Sequence, residues 1–139
     1  MVRTRTQIRS LVNQYIRNLE ARGVRVQTVV LFGSYACNNA HTGSDIDLAV
    51  IAPQFARLNI RERYETLGLA NLELRAPIQA IGYAPLQWRY PEQGSFIDEI
   101  RRTGRIIYHK APKRKKAHIS SRVATKCTTP LTRGVSGQK

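Results

Sequence analysis

The sequence predicts an α/β (α+β) fold in which helices back a small mixed β-sheet. Three observations support this prediction. Apolar residues recur at helical spacing in some segments, short β-branched runs bounded by Gly or Pro occur in others, and the two kinds of segment alternate. With 139 residues, of which 42% are apolar, the chain is long enough to form one hydrophobic core.

Helices are predicted where apolar residues recur every three or four positions. The first such segment lies near the amino terminus and ends near Gly23, since glycine favours helix ends. In a later segment, Tyr64, Leu67 and Leu72 share one side of the helix, which we expect to be buried. The predicted helices cover residues 6–22, 34–39, 60–73 and 94–102.

Strands are predicted at short apolar runs that are rich in β-branched residues. One run ends at Phe32 and is followed directly by glycine, and another is closed by Pro53. With the helices on one side of the sheet, we expect the other face to be open to a substrate or a partner. The predicted strands cover residues 24–32, 46–51 and 78–83.

Gly33 and Ser34 follow the first strand, where a helix could begin. Backbone N–H groups at a helix start are unpaired, and together with the positive end of the helix dipole they favour a phosphate. A glycine has no Cβ to hold the phosphate away from the backbone, and Ser34 adds a hydroxyl. A Gly-Ser pair by itself is more often an ordinary turn.

Asp45 and Asp47 open the second predicted strand. Residues two apart in a strand project to the same face, so the two carboxylates repel each other unless a cation lies between them. Hard oxygen ligands of this kind suit Mg²⁺ or Mn²⁺. Alone, the pair could also be a solvated strand end. Behind a Gly-Ser turn, in strand–turn–helix–strand order, it predicts a nucleotide site.

The Gly-Ser turn, the ten-residue spacer and the Asp-Ile-Asp-Leu run at 45–48 resemble the motif of minimal nucleotidyltransferases (MNT) of the DNA polymerase β-like superfamily. The resemblance extends to residues 95–100 and 104–108, which are similar to the closing helix and strand of such domains. It implies the polymerase β-like nucleotidyltransferase fold.

The same resemblance implies an activity and its residues. Asp45 and Asp47 would be the catalytic residues and metal ligands, and Gly33, Ser34 and Ser44 would bind the nucleotide. The implied reaction transfers a nucleoside monophosphate from an NTP to a hydroxyl and releases pyrophosphate. Mg²⁺ or Mn²⁺ is the implied cofactor and ATP the implied nucleotide.

The resemblance also implies partners. Small stand-alone members often pair with a helical partner of the HEPN type, as the antitoxin half of a toxin–antitoxin system, and some of them modify that partner with AMP. We therefore expect an MNT-type antitoxin that transfers AMP to a hydroxyl of a protein or another acceptor. A homo-oligomer is a further expectation for a small domain with one open face.

Gln79 departs from the family pattern, in which a third carboxylate faces the first two from a later strand. An amide is a weak oxygen ligand and cannot act as a base, so weaker metal binding and slower catalysis are expected. The alternative function is therefore a catalytically weakened or inactive antitoxin that masks a HEPN-type partner. A second departure is Cys37-Asn38, where relatives often have Arg-Gly.

From the change in charge we expect two parts: a domain over 1–109, which the resemblance implies is a nucleotidyltransferase-like domain, and a basic tail over 110–139. The domain has a net charge of +5 and the tail +9, with no acidic residue in the tail. Such a composition predicts disorder, because too little apolar surface is available to offset the ordering entropy. The tail could contact nucleic-acid phosphates, or it could be a solubilising extension.

No stretch of the sequence has the apolar length of a membrane span, and residues 1–5 lack an apolar signal core. We therefore expect a cytoplasmic protein that does not contact membranes. Cys37 and Cys127 lie far apart in the chain and predict neither a disulfide nor a metal cluster.

Overall fold

A four-stranded mixed sheet forms the frame of the protein, whose computed structural model describes residues 2–110. β1 pairs antiparallel with both β2 and β4, and β2 pairs parallel with β3, so the spatial order is β3-β2-β1-β4. The predicted fold class, a mixed sheet with helices, is confirmed. The strands are β1 (Thr28–Phe32), β2 (Ile46–Ile51), β3 (Ile78–Tyr83) and β4 (Arg105–His109).

The two longest helices, α1 (Arg5–Ala21) and α2 (Ile60–Leu72), pack on one face of the sheet. Each begins with a capping box. The Thr4 or Asn59 side chain accepts the backbone N–H of the residue three positions later, and the side chain of that later residue accepts the N–H of Thr4 or Asn59. Their apolar sides bury alternate residues of the central strands. This face therefore holds the main hydrophobic core.

The second face is covered by α3 (Pro85–Arg89) and α4 (Phe96–Thr103). Ile100 of α4 is only 1% exposed and packs in a cluster with Val30 and Ala49 of the central strands. The expectation of an open second face is thus wrong over the centre of the sheet. The reason is that α4 has an apolar side of its own, which the sheet buries.

The first strand is shorter than predicted and begins at Thr28 instead of residue 24. Val24 and Val26 are buried, as their apolar character predicts. The Val24 N–H, however, donates to the Leu19 carbonyl at the end of α1, so it is not available to a neighbouring strand. Residues 24–27 therefore connect the helix to the sheet.

The helix predicted over 34–39 is a single 3₁₀ turn, Gly33–Tyr35. The N–H groups of Ala36 and Cys37 both donate to the Gly33 carbonyl. Asn38 then has a φ of 60°, in the left-handed region, which ends any helical geometry. This segment is too short to have the dipole of a full helix, so only its local N–H groups can contact an anion.

The prediction for the buried side of α2 holds only in part. Leu67 is buried, as predicted, but Tyr64 is 51% exposed and Leu72 is 63% exposed. Both assignments were wrong because α2 lies beside the edge strand β3 and only a narrow side of it meets the core. Ala70, with Leu67, forms that narrow contact.

None of the helices within residues 2–110 is long and apolar enough to cross a lipid bilayer. The last described residue, Lys110, donates its N–H to the Gln27 carbonyl at the end of the sheet. The disordered tail predicted over 110–139 otherwise lies outside the described residues.

Two side chains of α1 bond to the backbone of α2. The Tyr15 hydroxyl donates to the Leu67 carbonyl at 2.8 Å, and the Asn18 amide donates to the Ala70 carbonyl at 2.9 Å. Tyr15 is 1% exposed, and this burial raises the pKa of its phenol. The neutral hydroxyl therefore connects the two helices.

Replacing Tyr15 with Phe removes one buried hydrogen bond and retains the ring. We expect the free energy of unfolding to fall by about 1 kcal/mol and the melting temperature by roughly 5 °C. Thermal unfolding followed by circular dichroism measures the change. Tyr90→Phe, at a side chain that is 71% exposed, is the matched control and should melt like the wild type. An equal loss in both variants would contradict the role given to the Tyr15 hydroxyl.

Candidate active site

The two predicted carboxylates lie where β2 begins. Ile46 and Leu48 are fully buried on the side of α1 and α2, so the alternate residues Asp45 and Asp47 project to the other side. Both aspartates are half-buried. The alternation of the strand therefore brings the pair together on one face, as their spacing predicts.

Asp47 lies directly against the backbone of Gly33. Phe32 and Asp47 are paired across the β1–β2 ladder, which carries the end of one strand to the start of the other. A Cβ placed on Gly33 would overlap Asp47 Oδ2 and lie 3.0 Å from Asp47 Cγ. Gly33 also has a φ of 75°, which residues with side chains rarely adopt. Both facts require glycine here, and the two halves of the sequence motif are in contact.

The electrostatics of the pair are unfavourable without a cation. Burial raises the pKa of Asp47, and the neighbouring Asp45 charge raises it further. Mg²⁺ is commonly bound by one or two protein carboxylates, while substrate phosphates and water supply its other ligands. Asp45 and Asp47 fit the protein's share of such a site, because they supply two carboxylates. Among residues 2–110, no group of three His, Cys, Asp or Glu side chains could hold a metal by itself.

Gln79 lies beside both aspartates. In the parallel β2–β3 ladder it is the partner of Asp47, and its Nε2 donates to Asp45 Oδ2 at 2.9 Å. The structure thus brings Gln79 next to both aspartates, through the strand pairing with Asp47 and the hydrogen bond to Asp45. Its amide neutralises no charge, but it satisfies one oxygen of Asp45.

The two serines of the predicted site differ in their surroundings. Ser34 follows Gly33 in the 3₁₀ turn and is half-buried. Ser44 is 8% exposed, and its hydroxyl accepts the His41 N–H at 2.8 Å while its own N–H donates to the His41 carbonyl at 2.9 Å. Ser44 therefore closes the loop that leads into Asp45, and only its O–H is left to donate to a ligand.

A cleft of about 540 Å³ opens beside Asp47 and Gln79. This volume is within the range of small-molecule sites. The rings of Phe32 and Phe96 meet edge to face at 5.7 Å and form part of its wall, with Tyr64 on another part. The sequence reasoning missed Phe96 and treated Tyr64 as buried. The one sequence signal for Phe96 is its position as the first residue of the helix, directly after the capping Ser95.

Comparison with protein families gives one decisive match. The family described as polymerase beta, nucleotidyltransferase matches residues 13–113, which include all of these site residues. The chain belongs to this family. No curated protein matches the nucleotidyltransferase chain.

Two solved structures share the fold of this nucleotidyltransferase at low sequence identity, and a third has a lower TM-score. A protein from Sulfolobus solfataricus, provisionally described as a nucleotidyltransferase, has a TM-score of 0.54 and 14% identity, covering 73% of this chain and 80% of its own. A toxin–antitoxin with AMP-PNP has a TM-score of 0.50 and 24% identity, covering 70% of this chain and 73% of its own. A mutant of the toxin–antitoxin MntA-HpeT has 22% identity and a TM-score of 0.48, covering 70% and 72%.

Asp47 should make the stability of this nucleotidyltransferase depend on pH. Because its pKa is higher in the folded than in the unfolded chain, the folded state binds the proton more tightly. The free energy of unfolding therefore falls as the pH rises from the ordinary carboxyl range through the folded pKa, and stays lowered above it. In EDTA at pH 7, Asp47→Asn should therefore have a higher melting temperature than the wild type.

The difference in melting temperature between Asp47→Asn and the wild type should disappear when the pH is lowered below the ordinary carboxyl range. Melting curves across this pH range measure it. Glu92→Gln removes the same charge from an exposed loop position and is the control. If both variants differed from the wild type by the same melting temperature, or if the difference for Asp47→Asn persisted in acid, the buried Asp47 carboxylate would not be its cause.

Proposed function

We propose that this chain transfers a nucleoside monophosphate from an NTP to a hydroxyl, with AMP from ATP as the specific case. The observation that supports this most directly is the contact of Asp47 with Gly33, because it joins two carboxylates to the end of β1 beside a cleft of ligand size. Family membership supports the reaction class.

Asp45 and Asp47 would hold the divalent cation, Mg²⁺ or Mn²⁺. When bound, the cation would neutralise the charge that develops on the departing pyrophosphate. The aspartates themselves provide two oxygen ligands on one side of a strand, and their repulsion favours a cation over a vacant site. Gly33 leaves space for phosphate oxygens near the backbone, and Ser34 adds a hydroxyl that can donate to them.

The transfer forms one bond and breaks one. The acceptor hydroxyl oxygen bonds to the α-phosphorus of the NTP, and the bond from that phosphorus to the oxygen bridging to the β-phosphate breaks, so that pyrophosphate leaves. The hydroxyl proton must go to a base. Gln79 cannot accept it, so it goes to water or to one of the aspartates, and a slow reaction follows.

We propose an antitoxin role for the domain, with a HEPN-type helical protein as its partner and a hydroxyl of that partner as the acceptor. The support is the shared fold with a toxin–antitoxin that was solved with AMP-PNP, together with family membership. An ATP-consuming antitoxin would act in the cytoplasm. In this proposal the domain ends near residue 109, and the basic segment after it could add contacts to nucleic acid.

A second candidate is a domain that masks its partner without chemistry. The hydrogen bond from Gln79 to Asp45 favours it, because an amide satisfies the aspartate where a third carboxylate would strengthen a metal site. Partner binding that tolerates both Asp45→Asn and Asp47→Asn would support masking. Loss of AMP from the partner in the same variants, with binding intact, would support transfer.

Nucleotide binding should stabilise the wild type in a metal-dependent way. With an NTP at about a hundred times its dissociation constant, the free energy of unfolding should rise by roughly 2.7 kcal/mol and the melting temperature by roughly 13 °C. Thermal melting with each of the four NTPs, with Mg²⁺, Mn²⁺ or EDTA, measures this. Asp47→Asn should lose the shift, whereas Glu92→Gln should keep it. No shift with any NTP and metal would contradict the transfer proposal.

Gln79→Glu should restore the missing carboxylate. In EDTA we expect a lower melting temperature than in the wild type, because a third negative charge joins two that already repel each other. With Mg²⁺ and NTP we expect a larger stabilisation, and a transfer rate raised by about a hundredfold or more if the new carboxylate acts as base.

Gln93→Glu, at an exposed loop residue, is the matched control for charge. It should change neither the metal dependence of melting nor the rate of AMP transfer measured with labelled ATP. If Gln79→Glu behaved in the same way as this control, Gln79 would not occupy the third-carboxylate position.

A further inference from the structure

A second cavity, of about 350 Å³, lies apart from the aspartate pair, and four of its lining residues are arginines. Its four cationic side chains come from three parts of the chain. Arg3 and Arg5 belong to the amino-terminal segment and the start of α1, Arg9 lies one turn further along α1, and Arg105 begins β4. The fold therefore brings together residues that are about 100 positions apart in sequence.

This arginine cavity lies on the opposite face of the sheet from the aspartates. Leu31 is buried in the core under α1, and Arg105 is its partner in the β1–β4 ladder, so both project to that side. Asp47 is paired with Phe32, the next residue along β1, and so projects to the other side. The two sites share one end of the sheet but not one face.

No acidic residue of the described chain lines the arginine cavity. The ion pairs found among residues 2–110 use Arg61 and Arg102, which lie elsewhere. Arg5, Arg9 and Arg105 are exposed. Four arginines and no acidic residue among the lining give the cavity a positive potential, so it favours an anionic ligand.

The remaining walls give the cavity a defined shape. Ile8 and Leu31 form an apolar floor, and Tyr35 forms part of the rim. The Tyr35 hydroxyl accepts the Arg3 N–H at 3.2 Å, which connects the amino-terminal segment to the turn that follows β1. The arginines are thus attached to a helix, a strand and a segment bonded to a turn.

We propose that the arginine cavity binds the phosphodiester backbone of a nucleic acid. The planar guanidinium matches phosphate oxygens with paired N–H donors, which makes arginine well suited to phosphate. One phosphate cannot neutralise four guanidinium groups, whereas successive nucleotides deliver several charges along one path. The net charge of +14 on the whole chain attracts such a polyanion.

The test compares two variants of the full chain that lose the same charge. Arg5, Arg9 and Arg105 are replaced by Gln in the first, and the exposed Arg17, Arg57 and Arg89 are replaced by Gln in the second. Fluorescence anisotropy with a labelled single-stranded RNA and a DNA of the same sequence gives the dissociation constants over a series of salt concentrations. The segment after residue 110 contributes the same background to every protein.

The cavity variant should bind both oligonucleotides at least about tenfold more weakly at roughly 0.1 M salt, and the slope of log K against log salt should fall in magnitude by about 2. The charge-matched variant should change far less. Equal losses in both variants would overturn the proposal, because they would show that only total charge matters.

Competition identifies the source of the phosphate. The competitors are tripolyphosphate and polyglutamate. If oligonucleotide binding did not depend on the cavity arginines but binding of a competitor did, the proposal would be overturned. The ligand would then be a small polyphosphate or an acidic protein segment. Asp47→Asn should bind oligonucleotide at least as tightly as the wild type. A loss in that variant would also overturn the proposal, because the two sites would not be separate. These binding measurements do not depend on nucleotidyl transfer, so a protein without transfer activity would still test the arginine cavity.

Discussion

The contact between Asp47 and Gly33 is the constraint on which the arrangement of the site depends. It exists because β1 and β2 are antiparallel, so that the end of one strand meets the start of the other. The glycine is needed twice, once for its positive φ and once because any Cβ would overlap the carboxylate. The order of the sheet strands therefore sets the geometry between a turn that can contact phosphate and a carboxylate that can hold a cation.

Gln79 contributes a neutral amide to this site instead of a third negative charge. A third carboxylate at that position would add a charge to a pair whose burial already raises the pKa of Asp47. The amide instead donates to Asp45 and leaves the site with two charges. Two carboxylates repel each other less than three would, and an amide cannot accept a proton. Such a site is consistent with both proposals for the antitoxin role, a slow nucleotidyltransferase and a domain that masks its partner without chemistry.

The two faces at this end of the sheet have opposite electrostatic character. One face presents two carboxylates beside an aromatic cleft, and the other presents four arginines over an aliphatic floor. Alternate residues of β1 separate them, since Leu31 belongs to one side and Phe32 to the other. A domain of this size therefore places two carboxylates and four arginines at the same end of its sheet, on opposite faces.

The sequence by itself determined the class of fold, most of the elements and the pairing of Asp45 with Asp47, because strand alternation and helical spacing are local properties of the chain. It also singled out Gln79. The tertiary structure alone decided that Asp47 touches Gly33, that α4 covers the second face, that Phe96 joins the cleft and that Arg105 meets the amino-terminal arginines. Each of these depends on the order and register of strands distant in sequence, and local patterns do not encode which distant residues will meet.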